Sequence, residues 1–160
     1  MWAADFSTGA DLLLQAVAEP IPPPREPKGE RHLLNELRIL RREHQAIVQH
    51  AMDYALEAWP NLRASDHAVS ATRRDLDATL NYVEAATLVQ DGSLVAEYVG
   101  WFEAILVARD LPTSFVSTAF WLLRDALPTG LTAAVSMTEA GLARCSAPML
   151  HRDYHPDEGN

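Results

Sequence analysis

The chain has 160 residues, 48% of them hydrophobic, which is enough to bury one substantial core and too few for two ordinary domains. Its 13 Lys and Arg stand against 22 Asp and Glu, and the formal charge of -9 repels phosphate backbones and anionic lipid, so neither nucleic acid nor a membrane is an expected partner. The single cysteine, Cys145, permits no intrachain disulfide and no multi-cysteine zinc site, and it fits a reducing cytoplasm, the expected location.

Residues 1–28 read as a leader. Met1-Trp2-Ala3-Ala4-Asp5-Phe6 offers no basic region, and the apolar run Leu12-Leu13-Leu14 is far too short to span a bilayer. Leu12, Leu13, Ala16 and Val17 could form one short amphipathic helix for docking onto the body or onto a second subunit. The run Pro20-Ile21-Pro22-Pro23-Pro24-Arg25-Glu26-Pro27 then forbids a helix and favours an extended strap, because proline fixes φ and lacks an amide donor.

Residues 29–147 read as one helical domain. From Glu30 to Trp59 the seam Leu33, Leu37, Leu40, His44, Ile47, Ala51, Tyr54 and Ala58 alternates steps of four and three, which places it on one helix face. Pro60 stops this helix. Ser65-Asp66 caps the next, which runs to about Gln90 with Val69, Thr72, Leu76, Leu80, Val83 and Thr87 on one side. Asp91-Gly92-Ser93 breaks the chain.

A helix over about 93–109 should turn Leu94, Tyr98, Trp101, Phe102 and Ile105 inward, and one over about 113–127 should open with Pro112 in its first turn. Pro128 and Gly130 end that pair, and an alanine- and threonine-rich helix over about 130–146 closes the domain. Residues 148–160 read as a frayed polar tail. No period of two occurs, so the expected fold is all-α.

Arg73-Arg74-Asp75-Leu76-Asp77, then Leu80-Asn81-Tyr82-Val83, then Asp91-Gly92-Ser93-Leu94 stand in the order of the central helix of phycocyanin and allophycocyanin subunits, which this chain resembles. That family reads cysteine, any residue, Arg-Asp, a Leu-Arg-Tyr box and a Gly-Asp-x-Ser turn. With Gln45 to Ala51 upstream and Asp110-Leu111-Pro112 downstream, the resemblance covers about residues 38–127. It implies a globin-like fold of the phycobiliprotein type that holds a linear tetrapyrrole, biliverdin or phycocyanobilin, along the central helix.

By the same resemblance, Asp75 would face the pyrrole nitrogens and Arg74 a propionate, with Arg73 as a second propionate or surface contact. Tyr82, Tyr98 and Trp101 would complete the pocket, Tyr98 or Trp101 supplying the stacking face that the family places just before Leu111-Pro112. A carboxylate beside a guanidinium on one helix turn suits a ligand with N–H donors in its middle and carboxylates at its rim.

Thr72 stands where the family has its bilin-attaching cysteine, and a hydroxyl forms no thioether, so attachment there would be noncovalent. Asn81 replaces the arginine of the Leu-Arg-Tyr box, which in the family helps to pair subunits. These departures are closest to the cysteine-free bilin biosynthesis-associated globins.

Other candidates carry blander expectations. His44 reads as a satisfied core histidine, and with no histidine between His67 and His151 ordinary haem ligation is not expected. His151, Asp153 and His155 could catch a divalent metal only at the entropic cost of ordering a tail, so no metal site is expected. Cys145 reads as a small buried hydrophobe, and Trp101, Phe102, Phe115, Phe120 and Trp121 as core. Arg38, Arg41 and Arg42 read as a solvated basic face.

No nucleophile–base pair, metal triad or phosphate-cradling glycine loop is visible, so the expected protein is not an enzyme. The resemblance implies a bilin carrier or sensor, expected as a homodimer or other homo-oligomer. The alternative is a pigment-free regulatory globin that mediates protein contact or dimerisation.

Overall fold

The computed structural model describes residues 28–149. The proposed leader helix, the proline strap and the histidine-containing tail lie outside these residues. Five α-helices and one short 3-10 helix account for most of the described chain, and no strand occurs among the described residues, so the fold is all-α. The helices are α1 (Lys28–Ala58), α2 (Asp66–Val89), α3 (Ser93–Ala108), α4 (Ser114–Ala126) and α5 (Thr132–Arg144), with the 3-10 turn Pro60–Ala64 between α1 and α2. None of the described helices is long and apolar enough to cross a membrane.

The boundaries follow local chemistry. Pro60 lacks the amide that would continue α1, and the chain tightens into the 3-10 turn. Ser65 caps α2 with its hydroxyl, which accepts from the Ala68 amide at 3.2 Å. Gln90 ends α2 in the left-handed region at φ 54, and Asp91 restarts the chain by accepting the Ser93 amide at 2.9 Å. Pro112 lies before α4 and not in its first turn, because its carbonyl closes a turn onto the Phe115 amide.

The seam of α1 drifts from its expected line. Leu37, Leu40, Ile47 and Ala51 are buried, but the last turns bury Ala55 and Trp59, while Tyr54 is 42% exposed. A 3.6-residue period allows either 51–54–58 or 51–55–59, and the structure takes the second.

Helix α5 packs against α2, α3 and α4. Its small residues Ala134, Thr138 and Gly141 are buried, which lets neighbouring helices approach closely. Gly141 lies directly under the ring of the fully buried Phe120. No residue of α5 caps its own start. Glu36 of α1, 2% exposed, does so from across the core, its Oε1 accepting the Ala134 amide at 2.9 Å.

Phe102 and Phe120 are core, Phe115 and Trp121 are half-buried, and Arg38, Arg41 and Arg42 are exposed. Trp101 is 58% exposed, which corrects its inward placement. Helix α3 is apolar on nearly every side, so periodicity alone selects no buried face; Val95, Tyr98, Val99, Phe102 and Leu106 take the interior.

Candidate functional site

Helix α2 presents Ala68, Ala71, Thr72 and Asp75 at steps of three and four, so the four share one face. That face floors a half-open, mostly apolar cleft of about 290 Å³. Ala55 and Trp59 from the end of α1 and Leu62 of the 3-10 turn close one side. Phe115, Thr118 and Leu122 of α4 close the other, with Leu106, Leu111 and His67 completing the lining.

The Thr72 hydroxyl is engaged in its own helix, donating to the Ala68 carbonyl at 2.9 Å. Asp75 is the cleft's carboxylate. Burial pushes its pKa above the usual carboxylate value, and the positive charges of Arg74 and Arg109 pull the other way without cancelling the effect. The Asp75 backbone carbonyl is also engaged. Thr79 donates its one hydroxyl proton to the Asp75 carbonyl at 2.7 Å, so at the 2.9 Å contact between Thr79 and Tyr98 the phenol must be the donor.

Tyr98 is 3% exposed, and burial, with Asp75 nearby adding its charge, drives the phenol up to about 12. Tyr82 stacks on it with ring centroids 4.1 Å apart and planes 20° from parallel, and Trp101 follows at 6.0 Å. This aromatic stack lies outside the cleft lining.

The seven residues singled out in the sequence therefore separate. Thr72 and Asp75 line the cleft. Arg73 turns toward α1 and donates to the side-chain amide oxygen Oε1 of Gln49 at 2.8 Å. Arg74 is exposed, close enough to act on the Asp75 charge. Tyr82, Tyr98 and Trp101 form the stack. Sequence reasoning misses the two aromatics that do line the cleft, Trp59 and Phe115, and the second cation near Asp75, Arg109; the 51–55–59 spacing is the available signal for Trp59.

His44 is held from both ring nitrogens, Nδ1 to Glu84 at 2.7 Å and Nε2 to Asp77 at 2.9 Å, as expected of a satisfied histidine. Cys145 is half-buried and caps α5 instead of lying inside it. Burial, with Glu103 adding, pushes its thiol up to about 11, and Sγ donates to the Gly141 carbonyl at 3.3 Å.

An apolar cleft with one under-solvated carboxylate can receive N–H donors or a delocalised cation from a ligand. No group of metal-ligating side chains is assembled among the described residues. No family model matches the chain, and no curated protein matches it in sequence.

Proposed function

We propose that the protein binds a linear tetrapyrrole noncovalently, as a phycobiliprotein-like globin that carries or senses bilin without transforming it. The observation that carries this reading is Asp75: a half-buried carboxylate in an apolar cleft, raised in pKa by burial. Pyrrole N–H groups would supply the hydrogen bonds that a carboxylate there needs, and a protonated bilin would also compensate its charge. Trp59 and Phe115 offer ring faces to a conjugated ligand, and Arg74 and Arg109 are the cations within reach of Asp75 for the propionates.

The cleft, about 290 Å³, falls just below the size usual for drug-sized ligands, about 300–1,000 Å³. A whole tetrapyrrole would place only part of its length inside and the rest along the open side. Thr72, at the position matching the family's cysteine, leaves the pigment without a thioether.

Mixing the purified chain with biliverdin or phycocyanobilin should shift the red absorption band, and acid-urea should release all pigment from the polypeptide. Unchanged spectra with both bilins would overturn the reading.

A pigment-free protein-contact role is the second reading, favoured by a different observation. The exposed side of α3 carries Gly100, Trp101, Ala104 and Val107 beyond its one exposed acid, Glu97, and next to exposed Tyr82, and such a patch suits contact with a second copy or another protein. Coexpression with a haem oxygenase and a bilin reductase separates the two: a coloured, dialysis-stable product favours the first reading, a colourless dimer the second.

A further inference from the structure

The polar groups of the Asp75 cleft divide by what they can still offer a ligand. Thr72 and Thr118 line it, and each hydroxyl already gives its proton to its own helix, Thr72 to the Ala68 carbonyl at 2.9 Å and Thr118 to the Ser114 carbonyl at 2.7 Å. A hydroxyl has one proton, so toward the cleft both can only accept. Ionised Asp75 also only accepts. His67 is different: its imidazole keeps an N–H in either protonation state, and it is the one lining side chain among the described residues that can carry a positive charge.

His67 and Asp75 stand well apart along the cleft. His67 lies in the first turn of α2, eight residues before Asp75, which at about 1.5 Å per residue is about 12 Å along the helix axis. Ala68 and Ala71 lie on the floor between them, and Trp59, Leu62, Phe115 and Leu122 supply apolar walls. His67 is exposed, and among the described residues no ion pair engages its ring. The exposed charges nearest to it in the chain, Arg63 and Asp66, offset one another, while the first turn of a helix favours an anion.

We infer that the cleft selects an elongated aromatic acid, taken with its N–H donors at Asp75 and a carboxylate at His67. The reverse orientation would set the carboxylate against ionised Asp75, where the Thr72 hydroxyl has no proton left to give. Arg74 and Arg109 act on the Asp75 charge without lining the cleft, so a carboxylate held inside it meets His67. The rings of Trp59 and Phe115 suit a conjugated body between the two polar ends. In a linear tetrapyrrole the carboxylate would be a propionate. The inference rests on Asp75 receiving ligand N–H groups, as in the reading above, and holds for any acid of this form.

The test compares two acids with their neutral counterparts on the isotopically labelled full chain: biliverdin with its dimethyl ester, and indole-3-butyrate, small enough to lie within the cleft, with its primary amide. Affinities are read from the backbone amides of Ala68 and Ala71 and the Trp59 indole N–H. Each acid should bind about three- to fivefold more tightly than its neutral counterpart, the worth of one solvent-exposed charged contact. In His67→Ala, with the fold verified by circular dichroism, the acid should weaken to the level of the neutral compound, whose own affinity stays the same. If only the indole pair binds and shows this His67-dependent preference, the tetrapyrrole reading falls and the inference stands. If biliverdin binds but no acid is preferred, or the preference survives in His67→Ala, the inference falls and the tetrapyrrole reading stands. Binding of none of the four compounds would overturn both.

Discussion

His44 of α1 and Glu84 of α2 are joined by a 2.7 Å hydrogen bond from the imidazole Nδ1 to the carboxylate, and the opposite nitrogen reaches Asp77, seven residues earlier on α2. Both nitrogens can donate only when the ring is an imidazolium, so the clamp is a charged one. Burial disfavours that charge, but the hydrogen bonds and charges of Glu84 and Asp77 outweigh it, and the pKa lies above the usual 6.5.

The sign of the resulting pH dependence is fixed. The folded state holds this proton more tightly than the unfolded chain, so the clamp contributes in full below the ordinary histidine pKa and is lost as pH rises through the raised folded value. His44→Gln should cost about 1–2 kcal/mol at about pH 5.5 and much less at about pH 9. Urea midpoints of both proteins across that range check this; a pH-independent difference would mean that the clamp is not ionic.

Asp75 titrates in the opposite sense of benefit. Its folded pKa is raised by burial, so the ionised form costs stability above that value and the cost disappears as pH falls below the ordinary carboxylate pKa. Asp75→Asn should therefore raise the melting temperature of the pigment-free protein slightly at neutral pH and have little effect in acid. The same change should weaken bilin binding about tenfold or more, because an amide no longer meets the pyrrole N–H groups with charge. Thermal melts and absorbance titrations on one preparation read both effects, and a variant that loses stability without losing affinity would remove Asp75 from the site.

Glu36 illustrates an interaction that sequence could not announce. Its carboxylate caps α5 across a separation of 98 residues, and nothing in the local pattern of either helix marks the pairing. Glu36→Ala should cost about 2–3 kcal/mol, leaving the Ala134 amide buried without an acceptor, whereas Glu36→Gln retains a carbonyl acceptor and should cost under about 1 kcal/mol. Hydrogen exchange at Ala134 distinguishes a lost cap from a general loss of packing: in the alanine variant that amide should exchange faster than the rest of α5.

The same contrast explains how much can be read in advance. Helices α1 and α2 are legible because a polar face opposes an apolar one, and Ser65, Pro60 and Asp91-Gly92-Ser93 punctuate them with residues whose backbone chemistry is local. The inward face of α3 is not, because a helix apolar all round gives periodicity nothing to distinguish, and Trp101 falls on the wrong side. Within the site, the family resemblance singles out Thr72 and Asp75, and because they are one turn apart on one helix both fall on the cleft. Trp59 and Phe115 come from two other stretches of chain and reach the same cleft only through the packing of α1, α2 and α4, while Arg109, at the end of α3, acts on the Asp75 charge without lining the cleft.

Two glycines provide the sharpest test of that packing, because helix propensity favours alanine equally at both. Gly100 on α3 has nothing within 4 Å of the place where an alanine methyl would stand, so Gly100→Ala should stabilise by about 0.5–1 kcal/mol through the unfolded chain's lost freedom. At Gly141 a β-carbon would meet the Phe120 ring, with the next ring atoms at 2.7 Å, and Phe120 is fully buried with no room to retreat. Overpacking of that kind costs about 1–3 kcal/mol and outweighs the propensity gain, so Gly141→Ala should destabilise. Chemical denaturation of the two variants should move the midpoints in opposite directions. If both rose, α5 would not be seated against α4 as closely as the Phe120 ring requires.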